Sequence, residues 1–196
     1  MALQRVCVFC GSSHGRRVEY SQAAQQMGAT LARRGIELVY GGGHIGLMGV
    51  LADAVLACSG RVIGVIPQAL EALELAHRRL SELRVVGSMH ERKALMAELS
   101  DAFIALPGGF GTLEEFCEVL TWSQLGFHAK PCGLLNVAGF FDPLLALFDH
   151  AVTEGFLRPE NRQLVLQSQD AGDLLNALAA FVPPPDVQKW ILPGEM

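Results

Sequence analysis

Charge is scarce in this chain. Asp, Glu, Lys and Arg make up 18% of its 196 residues, with a formal net charge of -5 and a pI near 5.6. No basic footprint is available to collect phosphate backbones, so no nucleic-acid partner is expected. Long apolar runs are missing as well. Stretches such as Leu47 to Cys58 are broken by Asp53 and fall short of the roughly 20 residues that span a bilayer, so no membrane partner is expected either. Met1 to Val6 passes directly into a strand-like run without the charged and apolar regions of an export signal, which points to a cytoplasmic location. The five cysteines, an odd number, suit small core hydrophobes in a reducing compartment better than disulfides. Cys7 and Cys10 spell C-x-x-C, yet positions i and i+3 of a strand face opposite sides of a sheet and cannot share one ion. The six histidines show no paired ligand spacing and read as surface or capping residues, so no metal is expected. None of Lys93, Lys130 and Lys189 stands in the G-K-[ST] context of a P-loop.

Apolar residues and glycine, by contrast, are abundant: 51% hydrophobic, 21 Gly and 9 Pro. Such breakers are more than helices tolerate but suit many tight strand-to-helix turns. A chain of this length buries about 70% of its unfolded surface in one domain. Val6 to Cys10 is a continuous apolar run ended by Gly11-Ser12-Ser13, the pattern of a strand covered on both faces. A helical stripe of Ala23, Met27, Thr30 and Leu31 follows and stops at Gly35. The cycle repeats with strands at 36–40, 61–66, 83–86, 102–106, 132–135 and 164–166. Helices are expected at about 46–59, 89–99, up to 125, 143–152 and 170–181, with an irregular stretch and a short helix within 68–82. Parallel neighbours need crossover helices. The pattern therefore predicts an α/β doubly wound parallel sheet of about seven strands with helices on both faces. A single domain spans residues 1–182, and 183–196, from the triple proline onward, form a tail.

In such a sheet ligands bind outside the carboxyl ends of strands. The second strand delivers Gly41-Gly42-Gly43-His44-Ile45-Gly46, a literal G-x-G-x-x-G in which Gly42 and Gly43 before a helix start suit a phosphate. The acid about 20 residues on that a dinucleotide site requires is missing, which disfavours NAD and leaves a close structural turn as the other reading. The fifth strand delivers Pro107 to Glu115, where glycines expose N–H groups in a nest, Thr112 adds a hydroxyl and two carboxylates fall in the first helical turn. Leu113, Phe116, Cys117 and Leu120 read as the packed stripe, and Glu114 as a solvated acid sharing a face with Glu118. Glu115, in line with Val119 and Trp122, reads as the acid facing the crevice. The fourth strand delivers Ser88 to Lys93 and places two cations at a helix start, where the dipole repels them. Arg92 lies on the stripe Met89, Arg92, Met96, Leu99 and points inward, so a guanidinium beside Glu115 would form a fork for phosphate or ribose hydroxyls. Gly11-Ser12-Ser13-His14-Gly15 has the form of a hydrolase elbow, and a serine hydrolase using Ser13, with His150 and Asp149, is one alternative. The strand is the wrong one for it. Serine-rich turns after a first strand, Ser12 included, more often bind phosphate or cap a helix.

Pro107-Gly108-Gly109-Phe110-Gly111-Thr112-Leu113-Glu114-Glu115 resembles the P-G-G-x-G-T-x-x-E signature of the Lonely Guy family, the cytokinin riboside 5′-monophosphate phosphoribohydrolases. Met89-His90-Glu91-Arg92-Lys93 resembles that family's M-H-x-R-K. The likeness extends to Cys10 to Ser13, Gly41 to Gly43, Gly46 to Gly49, Thr121-Trp122 and Gln124 to Gly126, and ends after Phe181. The resemblance implies a Rossmann-like homodimer that takes a small-molecule nucleotide. It would cleave the N-glycosidic bond of an adenine-type 5′-monophosphate to free base and ribose 5-phosphate, with no cofactor. It makes Arg92 and Glu115 the catalytic pair, with substrate contacts from Glu74, Lys93, Gly109, Phe110, Gly111, Thr112, Leu113, Glu114 and Thr121. Proteins with this signature have also been labelled lysine decarboxylases, but the Schiff-base lysine of pyridoxal phosphate chemistry has no good candidate, since Lys93 belongs to the Arg-Lys pair. Breaking a glycosidic bond builds oxocarbenium character and calls for an ionised carboxylate. A helix N-terminus lowers a glutamate pKa, so Glu115 is expected to be a stabiliser of positive charge and a poor general acid. The remaining alternative is a non-catalytic nucleotide-binding module that uses the same glycine nests without turnover. A mean hydropathy of +0.31 in so small a chain also predicts more apolar surface than one core absorbs, and hence a homodimer.

Overall fold

The structure, a computed structural model, describes residues 2–71 and 76–184. Strand β1 (Arg5–Phe9) is apolar because both its faces are covered: Cys7 and Phe9 enter one core layer, Val6, Val8 and Cys10 the other. The same alternation sends Cys7 and Cys10 to opposite sides of the sheet. After β1 come α1 (Val18–Arg33), β2 (Glu37–Tyr40), α2 (Gly46–Ala57), β3 (Val62–Pro67), the single turn α3 (Gln68–Glu71) and β4 (Glu82–Val86). The second half runs α4 (Met89–Leu99), β5 (Ala102–Ala105), α5 (Phe110–Leu125), β6 (Cys132–Leu135), α6 (Asp142–Thr153), α7 (Pro159–Arg162), β7 (Val165–Ser168) and α8 (Ala171–Ala180). The 3-10 turn Val137–Gly139 leads from β6 into α6.

All seven strands are parallel, in the order β4-β3-β2-β1-β5-β6-β7. The chain lays β2 to β4 outward from one flank of β1, then returns to place β5 on the other, with Val6 opposite both Leu38 and Ala102. The connections leaving β1 therefore diverge, and a crevice opens at the carboxyl edge between the loops after β1 and β5. One core layer is closed by Met27 and Leu31 of α1, Leu51 and Val55 of α2 and Leu174 and Leu178 of α8. Met96 of α4, Phe116 and Val119 of α5 and Leu145 of α6 close the other. A fully buried side chain of this size contributes about 1.5–3 kcal/mol.

One helix face differs from expectation. In α5 the buried residues are Thr112, Glu115, Phe116, Val119 and Ser123, while Leu113, Cys117 and Leu120 are only partly covered. Phe116 holds its expected inward place, but the rest of the stripe is rotated, because the polar Thr112, Glu115 and Ser123 share the buried face. Among the described residues no helix is long and apolar enough to cross a membrane, and no cluster of three His, Cys, Asp or Glu could hold a metal ion. Most of the expected tail, from residue 185 on, lies outside the described residues.

His128 follows α5 with its ring 5.3 Å from that of Phe103, and its Nδ1 accepts the Lys130 backbone N–H at 3.1 Å. Burial, helped by the Lys130 charge, holds it down at about 4. An unfolded histidine takes up its proton near pH 6.5, so in the window between these values the unfolded chain binds more protons and stability falls as pH falls. Allowing for its partial exposure, the effect is about 1 kcal/mol, or about 2–4 °C in Tm. Thermal melts between pH 7 and 4 should show this decline, and His128→Gln should flatten it; an equal slope in the variant would refute the assignment.

Candidate active site

Three helices begin along the carboxyl edge near the crevice, and two of those beginnings are already occupied. At α2, Leu47 N–H donates to the Gly11 carbonyl at 3.0 Å. This close approach needs Gly46, which has φ +58°, and whose missing side chain leaves room for the Ser12–Ser13 backbone. At α4, Ser88 Oγ accepts the Glu91 N–H at 3.1 Å and the Glu91 carboxylate accepts the Gly87 N–H at 2.7 Å, a variant of the capping box. At α5 the N-cap is Gly109, which offers no side chain, so the first-turn amides face the crevice without a side-chain cap. A Cβ built on Gly109 or Gly111 would meet nothing within 4 Å, so packing within this chain does not require glycine at either place.

Arg92 rises from the first turn of α4 and is 8% exposed, as is Glu115 of α5. The helix begins at Phe110, so its first turn holds no acid and Glu115, expected there, stands one turn further in. Arg92 Nη1 donates to Glu115 Oε1 at 2.8 Å and Nε donates to the Val65 carbonyl at 3.1 Å, while the guanidinium lies against Gly41, where any side chain would collide with Nη2. The expected fork is thus present as a buried pair held on three sides. Its electrostatics depart from expectation: burial pushes the Glu115 carboxyl above the ordinary carboxylate range, with Arg92 pulling against that push, so desolvation outweighs the cation beside it. Lys93 is the second cation at this edge. Its Nζ donates to Glu114 at 2.5 Å and Glu118 at 3.0 Å, and although burial lowers it, these contacts leave it above the usual lysine value. Glu114 is consequently a partner of Lys93 rather than a solvated acid alone.

The remaining expected residues separate into groups. Ser12, Gly109, Phe110 and Gly111 are exposed around the crevice, with Thr112 buried beneath them and Leu113 partly covered beside them. A cleft of about 240 Å³ lies between the Gly11 to Gly15 loop, Tyr20, Phe140 and the Pro107 to Gly109 turn. Gly42 and Gly43 are tied to the stretch before β4: the Gly42 carbonyl accepts the His77 N–H at 2.8 Å, and Gly43 makes an antiparallel bridge with Ala76. The α2 start behind them is closed by Gly11. Thr121 lies on the outer side of α5, its hydroxyl donating to the Cys117 carbonyl at 2.8 Å, and this chain does not bring it to the Arg92–Glu115 pair. Glu74 lies outside the described residues. The serine-hydrolase constellation is not assembled: Ser13 Oγ accepts the Gly15 N–H at 3.3 Å, His14 pairs with Ser21, and Asp149 is bound by Arg162 at 2.7 Å. Gly41 stands in the glycine motif of the sequence, but its use as the seat of Arg92 is not legible there, and the Val65 carbonyl has no residue-type signal by which to find it.

An all-parallel sheet wound both ways from β1, with a buried charge pair and an uncapped helix at its carboxyl edge, defines a Rossmann-like α/β protein with a ligand crevice at the switch point. Residues 48–178 match the family described as possible lysine decarboxylase. A probable cytokinin riboside 5′-monophosphate phosphoribohydrolase of Oryza sativa subsp. japonica is 56% identical over 182 residues, covering 93% of this chain and 74% of the relative. A cytokinin riboside 5′-monophosphate phosphoribohydrolase of Arabidopsis thaliana is 52% identical, covering 92% of this chain and 84% of the relative. The chain belongs to this family, the Lonely Guy family. In fold alone it is similar to the molybdenum cofactor binding protein of Rippkaea orientalis, with a TM-score of 0.68 at 21% identity over 92% of this chain and 98% of that one. Decarboxylase chemistry with pyridoxal phosphate would need an available lysine amine. Lys93 is held by two carboxylates and Lys130 Nζ donates to the Ala97 carbonyl at 2.8 Å, so among the described residues no lysine fits that group.

Proposed function

We propose that this protein hydrolyses the N-glycosidic bond of cytokinin riboside 5′-monophosphates, with AMP as a further candidate substrate, to give free base and ribose 5-phosphate. The observation that carries the proposal is the buried Arg92–Glu115 pair beside the open start of α5. The 5′-phosphate binds at the first-turn amides of α5, where the dipole favours an anion. That anchoring places the sugar over the pair. As the bond from C1 to the base nitrogen breaks, its electrons leave with the base, which takes a proton from solvent, and positive charge builds on the sugar. The Glu115 carboxylate stabilises that charge. Arg92 orients the carboxylate and the ribose hydroxyls, and a water molecule adds to C1 and gives up its proton. Burial raises the basicity of Glu115, which suits it to receive that proton. Lys93, paired with Glu114 and Glu118, ties α4 to α5 beside the pair, and the domain acts in the cytoplasm without a nucleic-acid partner.

A chromatographic assay for released base tests the function. With a 5′-monophosphate and its riboside compared side by side, kcat/KM should fall by about 10²–10⁴-fold for the riboside, since a site built for a phosphate is left with unpaired donors. Inorganic phosphate should inhibit competitively. Equal rates for the two substrates would overturn the phosphate assignment, and tight binding of monophosphate with no base released would favour the non-catalytic module.

The same proposal includes a homodimer. Phe110 is 94% exposed, and with Met89 and Val85 it leaves apolar surface at the edge where the crevice opens. Thr121 on the outer face of α5 would meet substrate if a second copy docked there. Sedimentation at micromolar concentration should find twice the 21.1 kDa chain mass, whereas a monomer would remove the claim.

A further inference from the structure

We propose that His77 and Asp53 form a clasp that positions the loop after β2 and, through that loop, the guanidinium of Arg92. The inference rests on the reading of Arg92 as one of the catalytic pair. His77 lies in the irregular stretch before β4, yet it is only 5% exposed. Its Nδ1 accepts the Arg79 backbone N–H at 3.2 Å, which leaves the ring proton on Nε2 to be donated to Asp53 Oδ1 of α2 at 3.1 Å. Arg79 Nη2 also reaches Asp53, at 2.9 Å, but from an exposed position where such a contact is weak. The backbone of the same short stretch grips the glycine loop: His77 N–H donates to the Gly42 carbonyl at 2.8 Å, and Ala76 bridges Gly43. From below, Tyr40 Oη donates to the Gly43 carbonyl at 3.1 Å.

The other side of that loop is Gly41, pressed against Arg92. The loop is therefore held between the backbone of residues 76–77, which the His77 ring fixes to Asp53 of α2, and the Arg92 guanidinium. The other anchors of Arg92 are the Glu115 carboxylate and the Val65 carbonyl of β3, the strand beside β2. If the 76–79 stretch lifts, Gly42 and Gly43 lose their partners and the surface on which the guanidinium rests becomes free to move. Both ring nitrogens of His77 are engaged within the clasp, so His77 positions and does not react. Misplacement of a reacting group by about 1 Å is enough to cost up to about 10²-fold in rate.

Steady-state kinetics well below each variant's Tm, together with hydrogen exchange of the peptide covering residues 40–47, tests the clasp. His77→Ala and Asp53→Ala are expected to lower kcat by about tenfold or more with a smaller change in KM, because the phosphate anchor at α5 is untouched. Both should speed exchange in the loop. His77→Gln keeps a donor toward Asp53, and Asp53→Asn keeps an acceptor, so both should stay within about threefold of wild type. A purely structural role would lower Tm while leaving kcat unchanged in the alanine variants, and that result overturns the proposal. So does an Asp53→Asn protein as impaired as Asp53→Ala. Should His77→Ala fail to fold, the pair of changes at half-exposed Asp53 decides. If the wild-type protein releases no base from any 5′-monophosphate, the functional reading fails instead, and unchanged loop exchange in Asp53→Ala would show separately that the clasp does not hold the loop.

Discussion

Glu115→Gln is expected to keep the fold and nucleotide binding and to lose about 10²–10³-fold in kcat, the usual consequence of deleting one preorganised electrostatic group. Glutamine still accepts the Arg92 hydrogen bond at this buried position but carries no charge to set against the developing cation. Glu114→Gln is the control. Lys93 retains Glu118 at 3.0 Å when Glu114 is neutralised, so activity should change by no more than a few-fold. The pH profile gives an independent check. Because burial raises the Glu115 carboxyl, the acid limb of kcat should lie above the ordinary carboxylate range, with the rate falling as pH falls and the carboxylate is protonated. That limb should vanish in Glu115→Gln. A glutamine variant with near wild-type kcat, or one matched by Glu114→Gln, would show that the two acids serve only the helix dipole.

Arg92→Ala should abolish turnover and destabilise the protein by about 3–5 kcal/mol, because it leaves a carboxylate buried without its cation and empties the seat beneath Gly41. Denaturant unfolding should reveal the loss. Without the arginine the carboxyl is pushed higher still, so the folded state gains relative stability as pH is lowered and Glu115 takes up a proton. Combining Arg92→Ala with Glu115→Gln should recover part of the stability, since no bare charge remains, while activity stays absent and the two kinetic effects fail to add. Full stability in the single variant would mean that the pair is far more hydrated than its 8% exposures allow.

Much of this organisation can be read from the chain. Continuous apolar runs ended by glycine mark strands, and a sheet covered on both faces leaves them no other place. Arg92 and Glu115 can be paired on paper because each follows closely on the start of its helix and faces inward. The rest depends on relations that no local pattern carries. Lys93 meets Glu114 and Glu118 only because α4 and α5 lie side by side, and His77 meets Asp53 across 24 positions of chain. The stripe of α5 is misread when hydrophobicity alone selects it, since Thr112 and Glu115 are buried for reasons other than hydrophobicity. The upward push on Glu115 is likewise invisible: sequence suggests a helix end, whose effect fades beyond the first turn, but not the depth of burial that raises the carboxyl.

The unequal helix starts give the crevice a direction. With α2 closed by the Gly11 carbonyl and α4 by Ser88, of these three helix starts only α5 presents its amides to an anion. On the proposed function, a mononucleotide is then expected to set its phosphate at α5 and not at α2 or α4. The carbonyl and hydroxyl that cap those two helices would thus act as a ratchet on ligand polarity, turning the same face of the sugar toward Arg92 and Glu115 at each binding.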